Sequence, residues 1–446
     1  MQDITREDIN GRYRIAAFVD NDPNKIGTRI GPYRIFDGQR IAELVETFTA
    51  SEIWFTMPGK PEFMTEVLHQ LQNFPLQYKM VPRKIQQLLP DIRSLRLEDL
   101  IQRPEIRLST DAVETLINNK RVLITGAAGS IGQEIVRQVL QYKPVRVVLF
   151  DQWEYGVYQL NQHYNFENVH CVLGDIRDEE RLLSIMENEK PEIIFHAAAY
   201  KHVPLLETNF IEALKTNILG TATLLKSIVH WLSLGKTVGP VKLVNISTDK
   251  AVEPENIMGL SKRISELLVY NVAREFGSQD LQTVSVRFGN VLGSSGSVVP
   301  LFLEQIHKGL PLTVTHPDME RFFMTIPEAV NLVLHALTVS SGQDILALDM
   351  GKSVKILELA ERIILLSGYI PHKDIKIEFT GIRPGEKMKE ELFWEKDSVR
   401  TDNPYIFRSE KDLKVLNVEE FIDKTVEALE NNKSLGWFKD YLRQYI

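Results

Sequence analysis

Between residues 121 and 288 the chain alternates strictly between short β-branched runs and amphipathic helical runs. "RVLIT" (121–125), "VRVVLF" (145–150), "HCVLG", "EIIFHA", "VKLVNIS" and "QTVSVRF" read as strands, and a helix is expected in each interval, the last over 257–276. Strands that alternate with helices across short loops can only be parallel. The helices must then cover both faces of the sheet. The expected fold class is therefore α/β, a doubly wound parallel sheet over 118–290. Residues 291–446 are less regular and richer in Gly, Pro and charge. They are expected to form a substrate lobe, with some segments returning to the sheet domain.

Before this block, "RYRIAAFVD" and "EIWFTM" read as strands, and "GQRIAELVETF" and "PEFMTEVLHQLQ" as helices. Residues 1–84 thus predict a small α/β domain, joined by a connector over 85–117 that ends in a short helix. No glycine-rich turn precedes its first strand. Either this domain binds no nucleotide, or its first strand and loop lie upstream of residue 1. The net charge of -8, without a block of Lys and Arg, argues against nucleic-acid and anionic-membrane binding. The single Cys171 excludes an intrachain disulfide framework and fits a reducing cytoplasm. No apolar run is long enough to cross a membrane.

"RVLITGAAGSIGQEIVRQV" places Gly126, Gly129 and Gly132 directly after a strand and at the start of a helix. The first glycine permits the tight turn. The second lets backbone approach a pyrophosphate sitting on the helix N-terminus. A glycine triplet alone is weak, but its strand–turn–helix context is the confirming one. The next strand ends at Asp151, about 20 residues on, where a carboxylate would bind a ribose diol and repel a 2′-phosphate. Gln152 follows with no Arg beside it, which favours NAD over NADP. Asp175 ends the third strand, where an adenine edge would lie, and small Ala197, Ala198 and Ala199 end the fourth. Singly, each could be a loop carboxylate or a packing alanine. Together, at consecutive strand ends, they outline a dinucleotide site.

The fifth strand delivers Ser247, Thr248, Asp249 and Lys250 to the same edge, and Met258 and Lys262 follow four residues apart on one helix face. Lys262 can reach a nicotinamide ribose and help a nearby hydroxyl lose its proton. Oxidising an alcohol needs one base and a hydride acceptor, whereas eliminating water also needs an acid and a second base. Next to a C4 ketone the C5 proton is acidic enough for a Lys, and the C6 hydroxyl leaves only with an acid such as Asp249. A structural salt bridge at a strand end is the competing reading of that pair.

Six ordered blocks now resemble one family: "GAAGSIGQEI", "HAAAYKHVPLLE", "STDKAVEPENIMGLSKR", "RFGNVLGSSGSVVPLF", "HPDMERFFMTIPEA" and "GIRPGEKMKEEL". They resemble the nucleotide-sugar 4,6-dehydratases of the extended short-chain dehydrogenase group, from about residue 105 to the C-terminus. More narrowly, they are similar to the long polysaccharide-biosynthesis and protein-glycosylation branch acting on UDP-N-acetylglucosamine. That branch has Met where other members have the catalytic Tyr, as at Met258.

The resemblance implies a Rossmann sheet, tightly bound NAD regenerated in each turnover, no metal, and a homodimer or higher homo-oligomer. It implies that Thr248 assists loss of the C4 hydroxyl proton, with Met258 and Lys262 in the catalytic set, that Lys250 is the C5 base and that Asp249 is the C6 acid. It adds Ser130, Ile131, Ile176 and Asn217 to the cofactor site. It places Lys201, His202, Asn290, Val299, Arg321, Arg383 and Glu386 on the UDP-sugar, the arginines on its diphosphate. It implies retention at C5, and a soluble portion of a protein otherwise anchored at the cytoplasmic face of the membrane. The alternatives are an inverting 4,6-dehydratase, a UDP-sugar 4-epimerase, and a non-catalytic NAD-binding sensor or scaffold.

Overall fold

A computed structural model describes residues 14–56, 61–80, 93–94, 106, 108–235, 239–277, 279–391, 398–409 and 413–446. The chain forms two compact units: residues 1–105, 298–319 and 354–381 make one, and 106–297, 320–353 and 382–446 the other. No helix among the described residues is long and apolar enough to cross a membrane.

The larger unit is built on nine strands. These are β1 (Arg121–Thr125), β2 (Arg146–Asp151), β3 (Val169–Leu173), β4 (Ile193–His196), β5 (Val241–Ile246), β6 (Leu281–Arg287), β7 (Gln343–Leu348), β8 (Ser398–Arg400) and β9 (Ile406–Ser409). Their order across the sheet is β8-β9-β7-β6-β5-β4-β1-β2-β3. Strands β1 to β7 run parallel, and β9 pairs antiparallel with both β7 and β8. The parallel run matches the expectation from the alternation. The antiparallel edge is a departure, formed by segments that follow the irregular region and return to the sheet. The parallel strands read as near-continuous apolar runs because helices cover both their faces. Val122, Leu123, Ile124, Val147, Val148, Leu149 and Phe150 are all buried.

The register aligns Thr125, Phe150, His196 and Asn245 at one edge. The chain runs outward from β1 to β3, then crosses back to β4 on the other side of β1. That reversal opens a crevice at the carboxyl ends, the usual ligand position in such sheets.

Helix α1 (Ser130–Val139) starts from the first crevice loop, and α2 (Gly220–Ser233) precedes β5. Helix α3 (Ile257–Phe276) falls where the periodicity predicts it. It is buried along most of its length. Its residues Ile264, Leu267, Leu268 and Val272 share a core with Phe421, Phe438 and Leu442 from the helices Val418–Glu430 and Leu435–Arg443.

In the smaller unit, Phe18–Asp20 pairs parallel with Tyr33–Asp37, and Glu52–Phe55 with Gln77–Met80. The helices Ile41–Phe48 and Pro61–Gln70 form as the sequence predicts. The first strand is shorter than expected, since residues 14–17 are not in a strand. Ile41, Val45, Phe55, Leu68, Leu71 and Leu365 form its core. Most of the connector expected over 85–117 lies outside the described residues; its closing helix is Asp111–Ile117.

Candidate active site

Two of the three glycines in the first loop are dictated by contact. Gly126 has φ +70°, and a Cβ there would lie 2.6 Å from the backbone of Ala197 and Ala198. At Gly132 it would lie 2.0 Å from the Gly126 carbonyl. Gly129 differs, since its Cβ would meet only the Gly126 carbonyl, at 3.3 Å, and the residue is exposed. It caps α1 without a side-chain hydrogen bond. The first N–H groups of α1 near Ser130, Ile131 and Gly132 therefore point outward as an anion cradle.

A cleft of about 230 Å³ lies along this edge, lined by Gly126, Gly129, Asp151, Gln152, Ile176 and Ala197–Ala199 among others. The Asp151 carboxylate accepts from the Ala128 N–H at 2.9 Å and from the Trp153 N–H at 2.9 Å, which fixes its orientation. Gln152 Nε2 donates to the Tyr200 hydroxyl at 3.1 Å. Asp175 pairs with Arg177 at 2.6 Å, and that guanidinium holds its carboxyl below the usual range. The Thr216 hydroxyl lines the same cleft, buried and without a hydrogen-bond partner among the described residues. An orphaned buried hydroxyl, an open helix N-terminus and a backbone cradle fit a dinucleotide.

Asn217, expected at the cofactor site, is engaged within the protein. It is fully buried, it exchanges hydrogen bonds with the backbone of Tyr200 at 2.8 and 3.0 Å, and it donates to Ser261 Oγ at 2.9 Å. Its effect on the cleft passes through the loop after β4.

At the end of β5 the polar residues form one hydrogen-bonded cluster. Thr248 Oγ1 donates to Asp249 Oδ1 at 2.8 Å, and Lys250 Nζ donates to the same oxygen at 3.0 Å. Lys250 Nζ also lies 3.4 Å from Asn290 Oδ1 and 3.8 Å from Glu390 Oε1. Asp249 is 1% exposed, and its Oδ2 has no hydrogen-bond partner among the described residues. Asn290, expected on the nucleotide, thus stands at the acid–base cluster. Glu390 was missed by sequence reasoning, because a Glu in "KMKEEL" reads as surface charge.

Beneath the cluster, Glu266 accepts from Ser247 Oγ at 2.6 Å, from Arg287 at 2.7 and 2.6 Å, and from Arg263 at 3.0 Å. Burial alone would raise its carboxyl pKa, but the two guanidiniums hold it below the ordinary value. Lys262 is buried, which pulls its ammonium pKa down to about 8 against the field of Glu266. Met258 is 4% exposed and packs in the main apolar core. A thioether held there fills space and carries no proton.

The other expected residues divide. Lys201 and His202 are exposed, and the loop over 293–297 closes against His202 and Ser130: a Cβ at Gly296 would lie 2.5 Å from the His202 ring, and Ser295 N donates to Ser130 Oγ at 3.2 Å. Arg321 is buried and donates to the carbonyls of Glu320, Lys387 and Met388 at 2.7, 2.8 and 3.1 Å. It clamps a backbone segment, which leaves two of its five N–H groups for any phosphate. Arg383 is exposed, as diphosphate binding requires. Glu386 has a buried Oε2 with no hydrogen-bond partner among the described residues. Asn256 caps α3 and donates to the Gly385 carbonyl at 2.8 Å, tying this turn to the start of α3. Val299 is buried in the helix Val298–His307 of the smaller unit.

Sheet order, crevice and glycine cradle define an α/β protein of the extended short-chain dehydrogenase/reductase class. Over residues 122–411 the chain matches the pattern of the polysaccharide biosynthesis protein family, and it belongs to that family. It is 40% identical over 388 residues to the probable polysaccharide biosynthesis protein EpsC of Bacillus subtilis, covering 84% of this chain and 63% of that protein. The chain thus spans less than two thirds of that relative's length. It is 34% identical over 285 residues to a UDP-N-acetylglucosamine 4,6-dehydratase (inverting) of Campylobacter jejuni, covering 64% of this chain and 80% of that one. UDP-glucose 4-epimerases from Rickettsia also occur among its relatives. Among solved structures, Pen from Bacillus thuringiensis superposes with a TM-score of 0.60 at 36% identity, covering 67% of this chain and 89% of that one.

Proposed function

We propose that the protein is an NAD-dependent UDP-N-acetylglucosamine 4,6-dehydratase. The observation that carries this reading is the hydrogen-bonded row Thr248–Asp249–Lys250 at the strand end beside the dinucleotide cleft. The cradle at Gly129 and α1, the carboxylate of Asp151 and the Thr216 hydroxyl would hold the dinucleotide. When bound, it accepts the C4 hydride and later returns it to C6.

The chain's own residues handle the protons. Thr248 Oγ1 takes the C4 hydroxyl proton as it passes its own to Asp249 Oδ1. A weak base thereby acts through a stronger one 2.8 Å away. This relay answers the problem posed by Met258. It also leaves Asp249 protonated at the moment an acid is needed. Lys250 draws the C5 proton, Asp249 protonates the departing C6 oxygen, and water leaves. Lys250 then returns a proton to C5, while the proton from the C4 hydroxyl has gone out with the water. Removal and return by one group on one face give retention at C5. Asp151 beside Gln152 supports NAD over NADP, because a 2′-phosphate would meet a carboxylate.

A 4-epimerase shares the cofactor chemistry but has no use for a C5 base and a C6 acid. Incubation with UDP-N-acetylglucosamine in heavy water, followed by mass spectrometry and proton NMR, tests the reading. Loss of one water with one deuterium gained at C5, and unchanged C5 configuration, is the expected result. An unchanged mass with inverted C4 identifies an epimerase; an inverted C5 identifies the other dehydratase.

The same reading includes two properties of the whole protein. It is anchored at the cytoplasmic face of the membrane, which fractionation of the natural gene product tests. It is a homodimer or higher homo-oligomer, which sedimentation tests.

A further inference from the structure

Lys250 faces a difficulty that the row at β5 does not resolve. An ammonium paired with carboxylates 3.0 and 3.8 Å away has no lone pair to offer, and a base needs one. Asp249 cannot take this proton, because it receives the one from Thr248 and spends it on the leaving oxygen. Glu390 is the remaining carboxylate, 4% exposed and reached across 140 residues of chain.

We propose that Glu390 is the proton store for Lys250: it takes the ammonium proton before C5 is deprotonated and returns it after turnover. The inference rests on the dehydratase reading and deepens it. Glu390 touches no substrate in this scheme and acts through Lys250. The steps balance. Lys250–NH3+ and Glu390–COO− become Lys250–NH2 and Glu390–COOH. Lys250–NH2 then takes the C5 proton, exchanges its N–H protons with solvent, and later gives a proton back to C5. Finally Glu390–COOH restores the ammonium.

The surroundings support this. Two buried carboxylates around one ammonium make one of them easy to protonate, so Glu390 is fit to accept a proton from Lys250. Burial raises the Glu390 carboxyl, Asp249 raises it further, and Lys250, Arg321 and Lys387 oppose the rise without cancelling it. Arg321 spends three N–H groups on nearby carbonyls, including those of Lys387 and Met388, which fixes the segment carrying Glu390. Lys387 lies 3.9 Å from Glu255. The 3.8 Å gap is of the length that tightens when substrate closes such sites.

The test uses Glu390→Gln in the full chain, in single turnovers with UDP-N-acetylglucosamine in heavy water. The expected result is unchanged C4 oxidation with C5 exchange slowed about a hundredfold at neutral pH. That rate should recover about tenfold per pH unit as solvent strips Lys250 instead. Glu390→Asp should keep part of the native pH independence. Equal slowing at every pH would make Glu390 a packing residue and overturn the proposal. Faster exchange at neutral pH would also overturn it, because simple removal of an anion makes Lys250 easier to deprotonate. A readout without substrate separates this from the dehydratase reading. As the substrate-free protein is titrated down from neutral pH, its infrared spectrum should gain a carboxylic C=O band above the ordinary carboxylate range, and Glu390→Gln should remove that band. Its absence would overturn the proposal whatever the substrate proves to be.

Discussion

Replacing Thr248 by Val isolates the proton relay. The side chains are nearly the same shape, so the change removes one hydroxyl and little else. In the native protein that hydroxyl donates to Asp249 Oδ1 at 2.8 Å and accepts weakly from Lys250 N at 3.4 Å. Asp249 Oδ1 keeps its bond to Lys250 at 3.0 Å, so the fold should lose only about 1 kcal/mol. The chemical loss is larger. General base assistance is worth about 10²–10⁴-fold, or on the order of 3–5 kcal/mol of barrier. The assay is the single-turnover rise of reduced-nicotinamide absorbance on mixing with substrate, which reads C4 oxidation alone. Thr248→Ser should retain most of the rate. Asp249→Asn should slow the same phase, and the double variant should be little slower than either single one, since both break one relay. Oxidation by Thr248→Val within about threefold of native, or additive losses in the double variant, would refute the reasoning.

Glu266→Gln leaves Arg263 and Arg287 buried around an uncharged amide. Urea unfolding should show a loss of about 3–5 kcal/mol. Because the folded carboxyl is held below its unfolded value of about 4.3, its contribution is complete above that pH and is lost as pH falls through the folded value. For Lys262 the slope has the same sign but the charged form is the destabilising one: burial pulls the folded ammonium pKa down to about 8, so stability rises as pH increases from there toward the unfolded value. Lys262→Met should therefore stabilise the cofactor-free chain at neutral pH by up to about 3 kcal/mol while weakening NAD retention, read by thermal melting and by cofactor release. Gly132→Ala forces a Cβ to 2.0 Å from the Gly126 carbonyl and should abolish NAD retention, measured after gel filtration.

The sheet was legible because its signal is local. Strand–helix alternation fixed β1 to β6 within a residue or two, and the glycine turn, Asp151 and the Ala197–Ala199 run placed the cleft. What escaped depends on contacts between distant segments. Nothing in "ERFFM" says that Arg321 turns onto the backbone at Lys387 and Met388, and nothing near Asn217 says that its amide is spent on Tyr200. Glu390 was invisible for the same reason: its neighbour Glu391 is exposed, and only the fold brings one of the two beside Lys250. The antiparallel edge escaped because β8 and β9 are too short to show a period.

The placement of α3 has a consequence for how the chain is made. During synthesis, residues up to 290 can complete β1 to β6, but three things are still missing. The neighbour of β6 has not emerged, Glu390 is absent, and the apolar side of α3 that later meets Phe421, Phe438 and Leu442 is bare. A nascent chain in that state carries both an open sheet edge and an uncovered helix, the two surfaces on which partly made proteins stick to one another. Release from that hazard comes only with the last thirty residues, so the C-terminal tail governs the yield of folded protein more than its distance from the chemistry suggests.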